Sequence, residues 1–497
     1  MTDKQVRLSP GRLALLALAL VLIALSWQQV LAASSGLVVR QVDQAGVPLR
    51  YIVAEGVGQA GALPAPGVVI AHGFSGSQQL MLAYGYTLAH AGYAVILLDF
   101  AGHGANAQPL RQDAALLADN LAVATAVLQA QPEVDPTRLA VLGHSMGSGA
   151  AMQAGVDQGE TYRATVAISP TDADVSPAWP RNFLLMAGSL EAPFVANAQD
   201  LLARAGGPNP DFGQELARAL VIVPYAEHIS ILFRWLSHST ALHWLDQVFG
   251  AQRASSYRDT RMIWYGVHLA GWLVGLLAVA PLLPSARAQR GAGRKRPWSW
   301  LGLVVGVLAG TAVLWLLSQA VTLSYLGGLA VGGALGLWFL VVGLVWLGLG
   351  IRPLPLTARS ILWGLALFAF LWLAFGLLSQ WVWLPWFLIP VRLLRWLPLA
   401  AAFFPWLLTA GVLTQGATAG SRLGWWAWQS VVLVAGLLAL VALVPAMFFL
   451  VLVLPVIPVI VGIMSIAGAA IDDAWAYGLG SALFFSWLLL TVFPLAG

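Results

Sequence analysis

The sequence predicts a two-part chain: an α/β domain on a mostly parallel, doubly wound sheet, then an all-α polytopic transmembrane bundle. Three observations carry this expectation. The run Leu139–Ala150 passes from an apolar strand through Gly143-His144-Ser145-Met146-Gly147 into small, helix-compatible residues. Other apolar strands lie on both sides of it, most of them closed by a glycine-bearing or acidic turn, the pattern of a parallel sheet. From Met262 onward the chain is a series of long apolar runs, each able to cross a hydrocarbon layer of about 30 Å.

Composition divides the chain in the same way. The whole sequence is 59% hydrophobic and only 9% charged, outside the range of an ordinary soluble protein. Residues 36–253 hold 17 of the 21 acids and seven of the eight histidines, and with ten Lys and Arg their formal charge is −7. Residues 256–497 hold three acids, twelve Lys and Arg, and 19 of the 23 tryptophans. The net charge of +4 is therefore no argument for nucleic acid. The bases of the second half sit mostly in loops between apolar runs, where they set topology. The expected division is an N-terminal membrane segment over 1–35, an α/β domain over 36–255 and a multi-span domain of about eight helices over 256–497. There is no cysteine, which excludes disulfides, thiolate metal sites and a cysteine nucleophile.

At the N-terminus, Lys4, Arg7 and Arg12 precede an apolar run from Leu13 to Ser26 that continues to about Ala33. This is the pattern of a signal anchor or a signal peptide, and Val30-Leu31-Ala32 leaves cleavage open. The positive flank stays inside, so the domain that follows is expected outside.

A buried strand, Pro66–Ala71, runs into His72-Gly73-Phe74-Ser75-Gly76-Ser77. Such a turn aims backbone N–H groups at a developing oxyanion; the expected donors are those of Phe74 and Met146. His72 is expected to orient the turn rather than to transfer protons. Ala94–Asp99 and Phe100-Ala101-Gly102-His103-Gly104 give a second strand and tight turn, with Asp99 a turn acceptor and His103 a structural residue. In Gly143–Gly147 the glycines permit a sharp strand-to-helix turn that lifts the Ser145 hydroxyl above the sheet edge. Further strands follow at Thr165–Ser169, Asn182–Ala187 and Ala219–Val223. Only a short linker separates the first two, with no inserted lid.

The ordered series His72-Gly73-Phe74, Asp99–Gly104, Asp135-Pro136-Thr137-Arg138 and Gly143–Gly147 resembles the α/β-hydrolase superfamily over about residues 45–250. Within it the likeness is to the serine aminopeptidase (S33), monoacylglycerol lipase and dienelactone hydrolase-like groups. The resemblance implies the α/β-hydrolase fold and a nucleophile–acid–histidine order. Ser145 would be the nucleophile. Glu191 stands where the family usually carries Asp, with a longer arm; Asp172 and Asp174 are the alternative acids. His228, after the last strand and opening the final helix, would be the base, with His238 and His243 as alternatives of packing or surface character. The implied reaction is cleavage of an ester, less readily an amide, through an acyl-Ser145 intermediate. A small-molecule ester, a lipid or a peptide-like compound would be the substrate, with a hydrophobic one favoured by the tether. Acyl transfer to an acceptor other than water is a close variant. No metal or other cofactor and no nucleic acid is expected. A second reading makes the bundle a transport or lipid-handling module and the α/β domain a non-catalytic binding or sensor module.

In the second half the expected spans are 262–284, 299–319, 325–351, 360–379, 397–415, 425–446, 447–469 and 478–496. The basic loop Arg287–Arg296 marks the cytoplasmic side, as do Arg352, Arg359 and Arg422. Trp381–Trp396 reads as an interfacial or re-entrant segment with Arg392 and Arg395 snorkelling to headgroups. Asp472-Asp473 reads as a loop pair and His268 as a packing residue. The expected location is a cell membrane, of bacterial character, with the α/β domain on the extracytoplasmic side.

Overall fold

The computed structural model describes residues 9–58, 63–111, 114–283, 298–350 and 355–497. Lys4, Arg7, the basic loop Arg287–Arg296 and Arg352 lie outside these residues. The described chain divides into two compact units. One comprises residues 28–265 with 379–385, and the other takes the remainder.

The first unit is built on eight strands: β1 (Leu37–Gln44), β2 (Val47–Ala54), β3 (Ala65–Ala71), β4 (Ala94–Leu98), β5 (Val134–His144), β6 (Tyr162–Ile168), β7 (Phe183–Gly188) and β8 (Arg218–Val223). Their order across the sheet is β1-β2-β4-β3-β5-β6-β7-β8. β1 and β2 form an antiparallel hairpin, β2 joins β4 antiparallel, and all pairings from β4 to β8 are parallel. The hairpin turns on two residues, Ala45 and Gly46, both at positive φ, the backbone that matches strand twist. β3 and β4 are buried along their whole length, as strands covered on both faces must be.

The pleat sends alternate side chains to opposite faces. Val68, Ile70, Val95 and Leu97 point to one face, into a core shared with Tyr84 and Leu88 of α2 (Leu82–His90) and Ala241 and Leu245. Val69, Ala71, Ile96 and Leu98 point to the other, with Leu121, Ala124 and Leu128 of α3 (Ala114–Gln129) and Ala151 of α4 (Met146–Asp157). α5 (Ala192–Arg204) packs Ala198 and Leu201 beside α4 on that second face. Ala241 and Leu245 belong to α6 (Trp235–Phe249), the partner of α2 on the first face. Parallel strands with helices on both faces and an antiparallel hairpin at one edge make this an α/β-hydrolase fold, as the sequence leads one to expect. Residues 170–182 between β6 and β7 contain no helix or strand, so no lid is inserted there.

This unit reaches further than 36–255. Arg261, almost fully buried, pairs with Asp259, lies over the Tyr86 ring at 4.5 Å and donates to the Trp381 carbonyl at 2.7 Å. Trp383 packs against the core of the α2 face. Residues 379–385 thus belong to this unit although they fall within the long apolar half of the sequence.

Among the described residues, and mostly in the second unit, eight helices are long and apolar enough to cross a membrane, or nine if one bent pair is a single span. They include α1 (Pro10–Ala32, its last residues in the first unit) and α7, which starts at Arg261 in the first unit and continues to Val279. They continue with α8 (Ser299–Ser318), α9 (Gly332–Gly350), α10 (Ala358–Leu371, prolonged to Trp381), α11 (Pro390–Thr414) and α12 (Ala419–Leu443). The bent pair, turned by 54°, is Pro445–Leu452 with α13 (Val456–Ile471), and α14 (Ala474–Val492) closes the series. Glycines allow near contact between helices: a Cβ on Gly478 of α14 would stand 2.9 Å from the Leu408 Cα of α11. Such close approach is how helices associate in lipid.

Two expectations are corrected here. α11 begins at Pro390 rather than near 397, because proline suits the first helical position, where its missing N–H is not needed. Arg392 does not snorkel. Its side chain is buried and donates to the carbonyls of Leu490 and Phe493, satisfying acceptors that the end of α14 leaves open. Arg392→Leu is therefore expected to destabilise the unit by about 1–3 kcal/mol per stranded carbonyl, read as a lower Tm of the detergent-solubilised protein. Asp472 and Asp473 lie between α13 and α14 and are partnered. Asp472 pairs with Arg422, and Asp473 caps α14 at the Ala476 N–H while accepting from Ser360 Oγ at 2.8 Å. His268 is buried and accepts from Trp272 Nε1 at 3.0 Å, a packing role.

Candidate active site

β5 carries the chain to His144 at the C-terminal edge of the sheet, and α4 begins at Met146. Ser145 between them has φ 53° and ψ −122°, a backbone state that costs a non-glycine residue about 1–3 kcal/mol. Its N–H donates to the Ile168 carbonyl at 2.9 Å, and its carbonyl accepts from the Ser148 N–H at 2.8 Å. The two motif glycines make this turn possible. A Cβ on Gly143 would lie 2.1 Å from the Gly147 carbonyl oxygen, and one on Gly147 would lie 2.4 Å from the His72 carbonyl oxygen.

The turn after β3 is laid against the same serine: a Cβ on Gly73 would be 2.9 Å from the Ser145 Cβ. His72 holds this turn. Its Nδ1–H donates to the Gly73 carbonyl at 2.8 Å, and its Nε2 accepts from the Phe100 N–H at 3.1 Å. The two bonds fix one neutral tautomer, and burial pushes the His72 pKa down. Asp99 accepts from the backbone and side chain of Gln78 and from the Ala105 N–H. His103 Nδ1–H donates to the Ala101 carbonyl at 2.9 Å, and its ring meets Phe74 edge-on at 5.8 Å. All three are turn-building residues. Phe74 sits in the turn they build, and Met146 is the first residue of α4, where helix geometry leaves N–H groups without intrahelical acceptors.

Glu191 follows β7 by three residues and is buried. One carboxylate oxygen accepts from the Gly188 N–H at 2.5 Å and from Ser169 Oγ at 2.7 Å. The other lies 2.8 Å from His228 Nδ1. The longer glutamate arm thus folds back over its own turn. Asp172 and Asp174 are exposed; Asp172 is paired with Arg204, which holds its carboxyl below the usual range. Neither meets a histidine.

His228 does not open a helix, as the sequence suggests. It lies in the loop after β8, two residues before a 3-10 turn at Ser230–Phe233 and seven before α6. Glu227 accepts from the Ile229 and Ser230 N–H groups and so starts that turn ahead of the helix. His228 Nε2 is 3.0 Å from Ser145 Oγ. The Phe194 ring of α5 stacks on the imidazole at 4.3 Å. The structure therefore joins Ser145, His228 and Glu191 in one hydrogen-bonded row. His238 is buried in α6 and donates to the Leu232 carbonyl, and His243 is exposed. Among the described residues no three His, Asp or Glu side chains are grouped to hold a metal ion.

Three contributors escaped the sequence reading: Ser169, Phe194 and His144. His144 was in view inside the motif. It is buried, and its Nε2–H donates to the His228 backbone carbonyl at 2.9 Å. Burial first, then the neighbouring His228, keeps its pKa well below the ordinary histidine value, so it remains a neutral, single-tautomer donor. His144→Leu is expected to lower kcat about 10- to 100-fold with KM little changed, since a 1 Å misplacement of a reacting group costs about 10²-fold. His144→Gln, which keeps an N–H donor, is expected to recover most of it. Steady-state kinetics on a soluble ester measures both.

Residues 64–211 match the family model described as serine aminopeptidase, S33. No curated protein matches the chain. Among solved structures, the dienelactone hydrolase from Anabaena variabilis is 24% identical, the match covering 43% of this chain and 96% of that one with TM-score 0.32. A bacterial heroin esterase is 17% identical over 50% and 98% of the two chains, TM-score 0.35. A membrane phospholipase A described as a bacterial virulence factor is 16% identical over 48% and 97%, TM-score 0.34. With the sheet order above, the family match makes this unit an α/β-hydrolase.

Proposed function

We propose that this α/β-hydrolase is a membrane-tethered serine esterase that works through an acyl-enzyme. One observation carries the reading: the row Ser145 Oγ–His228 Nε2 at 3.0 Å and His228 Nδ1–Glu191 at 2.8 Å. Neutral His228 takes the Ser145 proton as Oγ attacks the carbonyl carbon, and Glu191 holds the Nδ1–H tautomer and stabilises the imidazolium that forms. The N–H groups of Phe74 and Met146 receive the oxyanion. Collapse expels the alkoxide, which takes the proton from His228. Water then attacks the acyl-Ser145 ester by the same route, and the carboxylic acid leaves.

An ester is favoured over an amide because an alkoxide needs less help to leave than an amine. A hydrophobic or lipid ester is favoured because apolar helices flank the domain on both sides in sequence. The proposed setting is the extracytoplasmic side of a bacterial membrane, from the positive N-terminal flank and the basic loop that follows α7. The purified full chain, mixed rapidly with a p-nitrophenyl ester, is expected to give a burst of nitrophenol close to one equivalent before steady turnover. Turnover of peptide substrates alone, with no ester cleaved, would overturn the assignment.

A further inference from the structure

At the lip of this site the unit exposes an apolar and cationic ribbon. Outside its membrane helices the described part of the unit exposes seven large apolar side chains, and four of them, Leu190, Tyr225, Trp235 and Leu236, lie here. The contacts make the ribbon continuous. The Leu190 N–H donates to the Ala226 carbonyl, and the Tyr225 N–H to Ser189 Oγ. Arg234 donates to the Tyr225 carbonyl, and the Arg258 guanidinium lies over the Trp235 ring at 5.0 Å. Leu190 adjoins Glu191, and Tyr225 stands three residues before His228. The one acid between Tyr225 and Leu236, Glu227, is turned onto its own loop, while Glu191 and Asp259, beside Leu190 and Arg258, are buried against His228 and Arg261.

Tyr225 has φ 53° while its side chain is 79% exposed. The chain accepts a strained backbone there and recovers no packing, which points to a use for the displayed ring. Aromatic rings with arginines are the side chains that settle at the bilayer interface, the ring at headgroup level and the guanidinium toward phosphate. Chain connectivity bounds the distance from the ribbon to an apolar span. Arg258 is three residues before Arg261, where the apolar span of α7 begins, and three extended residues reach about 11 Å.

We propose that this ribbon is a bilayer-docking surface, seated among phospholipid headgroups, through which a membrane-borne ester reaches Ser145. The route of the substrate rests on the proposed esterase reading; the docking does not. The native chain lacks cysteine, so single thiols can be placed in the full-length protein. Leu190→Cys and Leu236→Cys, carrying an environment-sensitive dye, would be compared with Gln129→Cys in vesicles of phosphatidylcholine and phosphatidylglycerol bearing a shallow nitroxide quencher. Gln129 ends α3 just before β5 enters the sheet, at the edge opposite the site. Quenching at both ribbon positions is expected to exceed the control several-fold. Equal quenching at all three would overturn the proposal.

A cooperative thermal unfolding transition reports whether each variant is folded. Where one is not, hydrogen exchange of the native chain over 224–236 replaces it, with exchange slowed by vesicles more than at the α3 end around Gln129 expected and no difference contradicting. The two readings fail separately. Soluble-ester turnover with unquenched dyes removes the docking surface alone. Quenched dyes on a chain that cleaves no ester support docking and remove the esterase.

Discussion

Ser145→Ala is expected to lower kcat/KM for an ester by at least about 10⁴-fold, and His228→Ala by a comparable factor. The reason is that the two act as one device. Without Oγ there is no acyl-enzyme. Without the imidazole 3.0 Å away, the hydroxyl loses the hydrogen-bonded acceptor for its proton. The losses are therefore not additive, and the double variant is expected to be no slower than the worse single variant. Residual hydrolysis would come from the oxyanion turn and from binding. Glu191→Gln is expected to be milder yet still severe, since the amide can present its NH₂ to Nδ1 and favour the wrong tautomer. Stopped-flow measurement with a chromogenic ester reads all four. Retention of more than a tenth of the activity by either alanine variant would remove the mechanism.

The second large effect is on the fold. Gly147→Ala places a methyl group 2.4 Å from the His72 carbonyl oxygen, and Gly143→Ala places one 2.1 Å from the Gly147 carbonyl oxygen. In both cases the obstacle is backbone, which no rotamer change can move. β5 and β3 or α4 must separate at the centre of the sheet. Overpacking of this kind is expected to cost about 3 kcal/mol or more, a large share of what holds a domain together. Thermal unfolding is expected to show a clear drop in Tm for both variants. Gly149→Ala provides the contrast. There the nearest obstacle is the Thr171 hydroxyl at 2.5 Å, the end of a side chain that can turn aside, so the expected loss is smaller.

Much of this was legible in the chain because the turns are written in residues with few alternatives. Gly143 and Gly147 announce a close approach that no other residue permits, and the position of Ser145 follows from theirs. Glu191 could be named from its place after β7. Its extra methylene hid how it reaches His228, by folding back onto the Gly188 N–H and Ser169. His144 drew no role from the sequence, because its bond goes to a backbone carbonyl 84 residues away and no local pattern signals that. Phe194 lies in α5 with nothing in its neighbours to mark it.

In the apolar half, Arg392 was misread for a physical reason. A cation among tryptophans has the same composition whether it reaches headgroups or caps a helix end, and only the position of the α14 carbonyls separates the two. Residues 379–385 were likewise unreadable as part of the hydrolase unit. What ties them there is a bond from Arg261 to the Trp381 carbonyl, and backbone acceptors leave no trace in sequence.

The proposal of an activated serine is tested most directly by a fluorophosphonate probe on the purified full-length protein, with mass-spectrometric mapping of the adduct beside Ser145→Ala and His228→Ala. The predicted result is one adduct per chain, on Ser145, absent in Ser145→Ala and formed far more slowly in His228→Ala. A folded wild-type chain that takes up no probe, or takes it up equally well without His228, would contradict the account and return the α/β domain to a binding role.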